Sequence, residues 1–290
     1  MITIENEFLS VSFRQKGAEM TSIFNKKTQT EHLWQANPDV WPWYAPTLFP
    51  IVGGLFNNEL HVEGQTYHMN RHGFTRESEF DLVDFSETHA KFSLPFSEAT
   101  FAAYPYRFEF QILYDLFDED LRINYKVVNR DDKTIYFSMG AHPAFHVPFK
   151  ADEQYEDYYL EFENSEPLVT HLLSAKGLIS GETETVATDG NKLWLTKNLF
   201  DRDALVFKNI TSKKVTLRSK NHDESLSVSF ENFKDLGIWA KPGAPFVCIE
   251  PWLGYADKEG EVVDIQQKGG IESVGHGHVY EATFVISLNS

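Results

Sequence analysis

The sequence predicts an all-β chain folded as a sandwich or barrel, and three observations support that class. Apolar and polar residues alternate strictly through many short segments, as they do in half-buried strands. Clusters of turn-forming residues separate those segments. Long helical periodicity is nearly absent, which argues against alternating strands and helices.

Near the start, Leu9, Val11 and Phe13 alternate with Ser10 and Ser12. Phe108-Glu-Phe-Gln-Ile112 and Leu121-Arg-Ile-Asn-Tyr125 alternate likewise, and Ile112–Tyr114 and Leu121–Tyr125 flank the turn cluster Phe117-Asp-Glu-Asp120, which predicts a hairpin. Val215-Thr-Leu-Arg218, Leu226-Ser-Val-Ser-Phe230 and the run from His278 to Phe284 continue the pattern. Short helical turns fit only residues 97–103 and 197–204. The polar, Gly/Thr-rich stretch 174–191 reads as a long loop. Two prolines keep Trp41-Pro-Trp-Tyr-Ala-Pro46 out of any central strand. Its indoles either offer a flat face to a sugar ring or pack as a loop over one end of the fold. No linker or shift in composition divides the chain, so residues 1–290 are expected to form a single domain.

Hydrophobic residues make up 42% and charged residues 24% of the 290, a globular balance. Of the 42 aromatic residues, 24 are Phe, and most must serve the core. A formal charge of −17 opposes a broad nucleic-acid surface, though a local arginine cluster could still grip one phosphate. The single cysteine, Cys248, sits in an apolar run and cannot form an internal disulfide, which favours a reducing, cytoplasmic setting. No secretory signal pattern and no membrane-length apolar stretch is expected. Nothing in the sequence sets the oligomeric state.

Three segments place unusual polar residues inside strand-like sequence: Asn70-Arg-His-Gly-Phe-Thr-Arg76, Met139-Gly-Ala-His-Pro-Ala-Phe-His146 and Phe246-Val-Cys-Ile-Glu-Pro-Trp-Leu-Gly-Tyr255. Glu250 follows an apolar run, and Pro251 is expected to end that strand. Desolvation would raise its pKa and make it a base toward a hydroxyl proton. The other reading is a structural carboxylate paired with Arg71 or Arg76. His142, between small residues and Pro143, suits an acid or base titrating near neutral pH. His142 and His146 have the spacing of a zinc pair on a helix, but Pro143 and Pro148 oppose a helix and no Glu lies between them. No metal site is predicted. His72, bracketed by Arg71 and Arg76, is either part of a polar site or a satisfied histidine at a loop-strand junction. No phosphate loop, dinucleotide fingerprint or nucleophile elbow is present.

Taken in order, Leu48-Phe-Pro-Ile-Val-Gly53, Arg71-His-Gly-Phe-Thr-Arg76, Gly140-Ala-His-Pro-Ala-Phe145 and Ile249-Glu-Pro-Trp252 resemble the aldose 1-epimerase (galactose mutarotase-like) family, in particular its LacX-type branch. The likeness runs over nearly the whole chain. It implies a large antiparallel β-sandwich (a supersandwich) with the site in a cleft on the sheet, acting on a small-molecule sugar or sugar phosphate with no cofactor. It also implies roles. Glu250 would take the proton of the anomeric hydroxyl, His142 would protonate the ring oxygen, and His72 would lie near that oxygen. Arg71, Arg76, Asp203 and Trp252 would bind the sugar, with Asp201 two positions from the looser Asp203 match. Many relatives carry a basic residue where this chain has Gly54. Opening a hemiacetal needs one base and one acid, expected on opposite sides of the ring. Two further readings stand beside the enzyme: a non-catalytic carbohydrate-binding protein on the same fold, and a glycoside hydrolase, which would need two carboxylates.

Overall fold

The structure is a computed structural model that describes residues 1–289. Its framework is a nine-stranded antiparallel sheet, in spatial order Lys192–Trp194, Tyr158–Phe162, Lys214–Ser219, Ser225–Ser229, Val279–Asn289, Asp120–Asn129, Phe108–Phe117, His89–Pro95 and Asp81–Phe85. The expected hairpin is there: Phe108–Phe117 pairs with Asp120–Asn129, with Phe110 opposite Val127 and Tyr114 opposite Ile123. Every second residue of Phe108–Phe117 is buried from Phe108 to Leu116, so one sheet face is core and the other is wet.

A second antiparallel sheet runs Leu205–Phe207, Asp235–Trp239, Phe246–Leu253, Met139–Ala141 and Thr47–Leu48, with Ala144–His146 also paired to Phe246–Leu253. A four-stranded sheet made from Ile2–Glu5, Leu9–Phe13, Met20–Asn25 and Thr30–Glu31 completes the framework. Apolar faces join the sheets. Phe49, just after Thr47–Leu48, stacks on Phe110 of the large sheet at 4.5 Å between ring centres, nearly coplanar. Phe13 meets Tyr114 at 4.4 Å, and Phe162 meets Phe207 edge-on. The resulting architecture is the large antiparallel β-sandwich expected from the sequence. Ser97 caps the one α-helix among the described residues, Glu98–Ala103, inside the segment expected to turn.

Three local expectations are corrected. The stretch 174–191 is not one loop, because Val169–Leu173 and Ile179–Thr185 form a hairpin. All residues of its second strand after Ile179 are exposed, so backbone pairing holds it and no apolar alternation marks it. Residues 197–204 form turns rather than a helix. Pro251 does not end its strand, which continues to Leu253 and is buried at all eight positions. The neighbour on one side pairs Ala144 with Cys248 and Gly140 with Trp252, and is broken opposite residues 249–251. A residue without an amide donor is tolerated beside such a break. No helix among the described residues is long and apolar enough to cross a membrane.

Because Phe110 is fully buried and bridges two sheets, Phe110→Ala is expected to cost about 3–5 kcal/mol of unfolding free energy. Urea unfolding should show a lowered midpoint with an unchanged slope. A loss below about 1 kcal/mol would mean that the sheets do not depend on this contact.

Candidate active site

The Phe246–Leu253 strand builds the site because its side chains alternate between two faces. Val247, Ile249 and Leu253 enter the main core. Glu250 and Trp252 line a cavity of about 220 Å³ on the other face, together with Trp41, His72, Arg71, Arg76, His142, Asp203 and Trp239. The ladders on either side of the break in the neighbouring strand keep one register, Ala144 with Cys248 and Gly140 with Trp252. Continuing that register across the break puts His142 directly opposite Glu250. Two residues 108 positions apart in sequence are thereby brought face to face by strand pairing.

His142 Nε2 lies 3.3 Å from Glu250 Oε2. The approach is not aligned as a hydrogen bond, and Oε2 has no other partner among the described residues. Neither arginine pairs with the carboxylate, so the structural reading of Glu250 as an arginine partner fails. Glu250 is 1% exposed. Burial pushes its carboxyl well above the usual range, the nearby Trp252 indole acts against that shift, and the Asp203 charge adds to it. Burial, with a smaller contribution from Arg76, pulls His142 down to about 3. The expectation of a histidine titrating near neutrality is therefore corrected: the ring is neutral at pH 7 because its surroundings are too dry to hold a cation. The imidazole is held by aromatic walls, stacking on Trp41 at 5.0 Å and meeting the Trp239 edge at 5.8 Å.

His72 has its tautomer fixed by the backbone. The Gly53 N–H donates to His72 Nδ1 at 3.1 Å, and the His72 N–H donates to the Gly53 carbonyl at 2.8 Å. Its proton must then sit on Nε2, which makes the ring a hydrogen-bond donor at that atom. Burial lowers its pKa well below the usual value, and the neighbouring His142, Arg76 and Arg71 add to the effect.

The Trp252 ring lies over two glycines, Gly140, its direct partner on one flanking strand, and Gly237, which pairs with Glu250 on the other. A Cβ on Gly140 would come within 2.5 Å of its Cδ1, and one on Gly237 within 2.4 Å of its Cζ2. The arginines flank each other, with Arg76 Nη2 donating to the Arg71 carbonyl at 3.2 Å. Arg76 sits over the Trp43 ring, so the Trp41–Pro46 loop lends one indole to the cavity wall and another to an arginine. Arg71 reaches the turn of the exposed hairpin, where Nη2 donates to the Lys176 carbonyl at 2.6 Å. The space beside Gly54 is occupied by Leu178, 3.2 Å from where a Cβ would sit, and by Arg71 Nη2 at 3.6 Å. Arg71 thus puts a cationic head next to Gly54, where the family resemblance leads one to expect a basic residue.

The cavity brings together the seven residues to which the family resemblance gave a site role: Glu250, His142, His72, Arg71, Arg76, Asp203 and Trp252. Asp203, in the left-handed region at φ 74°, lines the wall, whereas Asp201 does not. Sequence reasoning missed Trp239 and the apolar rim of Leu173, Ile179, Val206 and Ala256. These are ordinary core-type residues, and only the fold reveals that they face a cavity.

The comparisons agree with this architecture. The model of the aldose 1-epimerase family matches residues 1–281, and the chain belongs to that family. Among its relatives is the LacX protein of Lactococcus lactis subsp. lactis, 35% identical over 274 residues, which is 91% of each chain. A galactose mutarotase-like protein from Lactobacillus casei ATCC 334 superposes with a TM-score of 0.94 at 32% identity over the full length of both chains. A galactose mutarotase related enzyme from Lactobacillus acidophilus gives 0.93 at 34% identity, covering 99% of this chain and 97% of its own.

Gly237→Ala should force the Trp252 indole off the sheet, at about 1–3 kcal/mol of stability. Tryptophan fluorescence should shift and the urea midpoint should fall. An unchanged spectrum and midpoint would show that the indole has slack which the packing does not suggest.

Proposed function

We propose that the protein is a cofactor-independent aldose 1-epimerase that interconverts the α and β anomers of a hexose or hexose phosphate. The observation that carries the reading is a carboxyl group and an imidazole 3.3 Å apart on the wall of one cavity. A cavity of about 220 Å³ is small beside the ~300–1,000 Å³ of drug-sized sites, which favours one sugar ring over an oligosaccharide.

Mutarotation removes the proton from O1 and delivers one to the ring oxygen O5. Both oxygens are bonded to C1, so two groups 3.3 Å apart on one cavity wall can serve them together. The expectation of acid and base on opposite sides of the ring is replaced by this adjacent arrangement. Burial favours the uncharged form of the pair, in which one proton sits on Glu250 and His142 is neutral. The hydroxyls of a bound sugar would stabilise the alternative form, a carboxylate facing an imidazolium. In that form Glu250 accepts the O1 proton while His142 gives its proton to O5, and the ring opens. Rotation about C1–C2 presents the other face of the carbonyl, and the same two groups close the ring with roles reversed. His72 donates from Nε2 and would hold O5 or an adjacent hydroxyl. Trp252 offers an apolar ring face, and Asp203 accepts from sugar hydroxyls. Arg71 and Arg76 would take the remaining hydroxyls or a phosphate. The chain acts as a single domain in this reading, and its lone cysteine suits the cytoplasm.

Glu250→Gln should lower the enzyme-catalysed rate about 10²–10⁴-fold in polarimetry while sugar binding survives. Wild-type rates would remove Glu250 from the mechanism, and release of a chromogenic aglycone by the native protein would favour a hydrolase. The pair works with one proton between its two members. His142 gains a second proton only near pH 3, and the shared proton is lost as pH rises through the raised pKa of Glu250. The kcat/KM profile should therefore fall as pH rises through that raised carboxyl pKa, with no acid limb from His142 above about pH 3. A rise with pH through 6–7 would indicate a histidine titrating alone.

A further inference from the structure

Cys248 is the residue on the cavity-bearing strand for which the proposed reaction has no use. It is fully buried, free of disulfide, and two positions before Glu250. Successive odd and even positions of a strand face opposite ways, so its side chain leaves the sheet on the Glu250 side. Its Sγ, a ring nitrogen of His142 and a carboxylate oxygen of Glu250 all lie within 4.8 Å of one another.

The geometry points to a second use of this cluster: a binding site for a soft divalent cation such as zinc, held by Cys248 Sγ, His142 Nε2 and Glu250, which blocks the sugar site when filled. Several independent features support the site. The donor set of thiolate, imidazole and carboxylate is the one zinc prefers, and it discriminates against magnesium and calcium. Two ligands of one tetrahedral zinc, at about 2.0–2.2 Å from the metal, stand roughly 3.3–3.5 Å apart. The observed His142–Glu250 separation is 3.3 Å. Glu250 Oε2 is buried and lacks a hydrogen-bond partner, so a ligand-seeking atom already faces the cluster. Three protein ligands would leave the fourth tetrahedral position for water, as in zinc sites that remain open to solvent. The histidine spacing weighed from the sequence does not form this site, because His146 lies beside His32 instead and is absent from the cluster.

Binding has a defined proton balance. The metal takes a thiolate, so the Cys248 S–H proton is released on binding. Affinity should therefore tighten as pH rises. Inhibition rests on the mutarotase reading, because the metal would occupy the atoms assigned to proton transfer. Metal binding itself does not depend on that reading.

The test uses zinc, cobalt(II) and magnesium with the full-length native protein and with Cys248→Ala and Cys248→Ser. Calorimetry should give one zinc per chain, with an observed heat that varies with the ionisation enthalpy of the buffer because protons are released. Cobalt should produce a thiolate-to-metal charge-transfer band, and magnesium should do nothing. Both Cys248 variants should keep basal mutarotation, lose the band, and bind zinc at least roughly tenfold more weakly, since one of three ligands is gone. In the native enzyme zinc should abolish mutarotation and a chelator should restore it. Equal zinc affinity in native and Cys248 variants, or no charge-transfer band, would overturn the site and assign any binding to surface histidines. Binding with the band but no measurable native mutarotation would leave the metal site standing and count against the enzyme reading.

Discussion

The structure depends on one constraint: a carboxyl group and an imidazole must share a place that is almost dry. Burying either group alone in its charged form is costly, and the usual answer is a salt bridge to arginine. Here the arginines are employed elsewhere. Arg71 holds the hairpin turn at Lys176, and Arg76 holds the Arg71 backbone and covers Trp43. Glu250 is left with His142, and burial pushes both toward their uncharged forms, the carboxyl by raising its pKa and the imidazole by lowering its own. A carboxyl group with a raised pKa beside a neutral imidazole is the kind of perturbed pair that suits proton transfer.

Strand register converts that constraint into geometry. A slip of one residue in the pairing of Phe246–Leu253 with its neighbour would turn Glu250 into the main core and Ile249 into the cavity. The register is held twice, before the break by Gly140 opposite Trp252 and after it by Ala144 opposite Cys248. The break frees the backbone around His142 and Pro143 while the flanking ladders fix its position. On the other side of Glu250, Gly237 is its direct partner, and the absence of a side chain there lets Trp252 lie across the sheet. The polar centre and its apolar platform are thus two consequences of one alignment.

Much of this was legible in the sequence, for identifiable reasons. Strands such as Phe108–Phe117 bury one face, so their alternation is written in residue type. The Val169–Leu173/Ile179–Thr185 hairpin buries almost nothing on its second strand, and so left no pattern to read. Glu250, His142 and His72 stood out as polar residues in apolar or glycine-flanked settings. What the sequence could not supply was their separation. The idea of acid and base across a ring, and of a histidine near its ordinary pKa, came from reaction chemistry without the register or the degree of burial. Trp239 and the apolar rim were invisible because a cavity-lining Val or Ile has the same signature as a core one. Gly140 and Gly237 are similar: their meaning lies in the indole above them, which no local pattern predicts.

Burial keeps His142 neutral beside Glu250, and that state can be read directly from the imidazole. Nitrogen-15 NMR of histidine-labelled protein, with the His142 signals identified by their loss in His142→Asn, would follow that ring through a pH titration. Both nitrogens should keep the shifts of a neutral ring from pH 8 to pH 5, with protonation only near pH 3. An ordinary titration centred near pH 6.5 would contradict it.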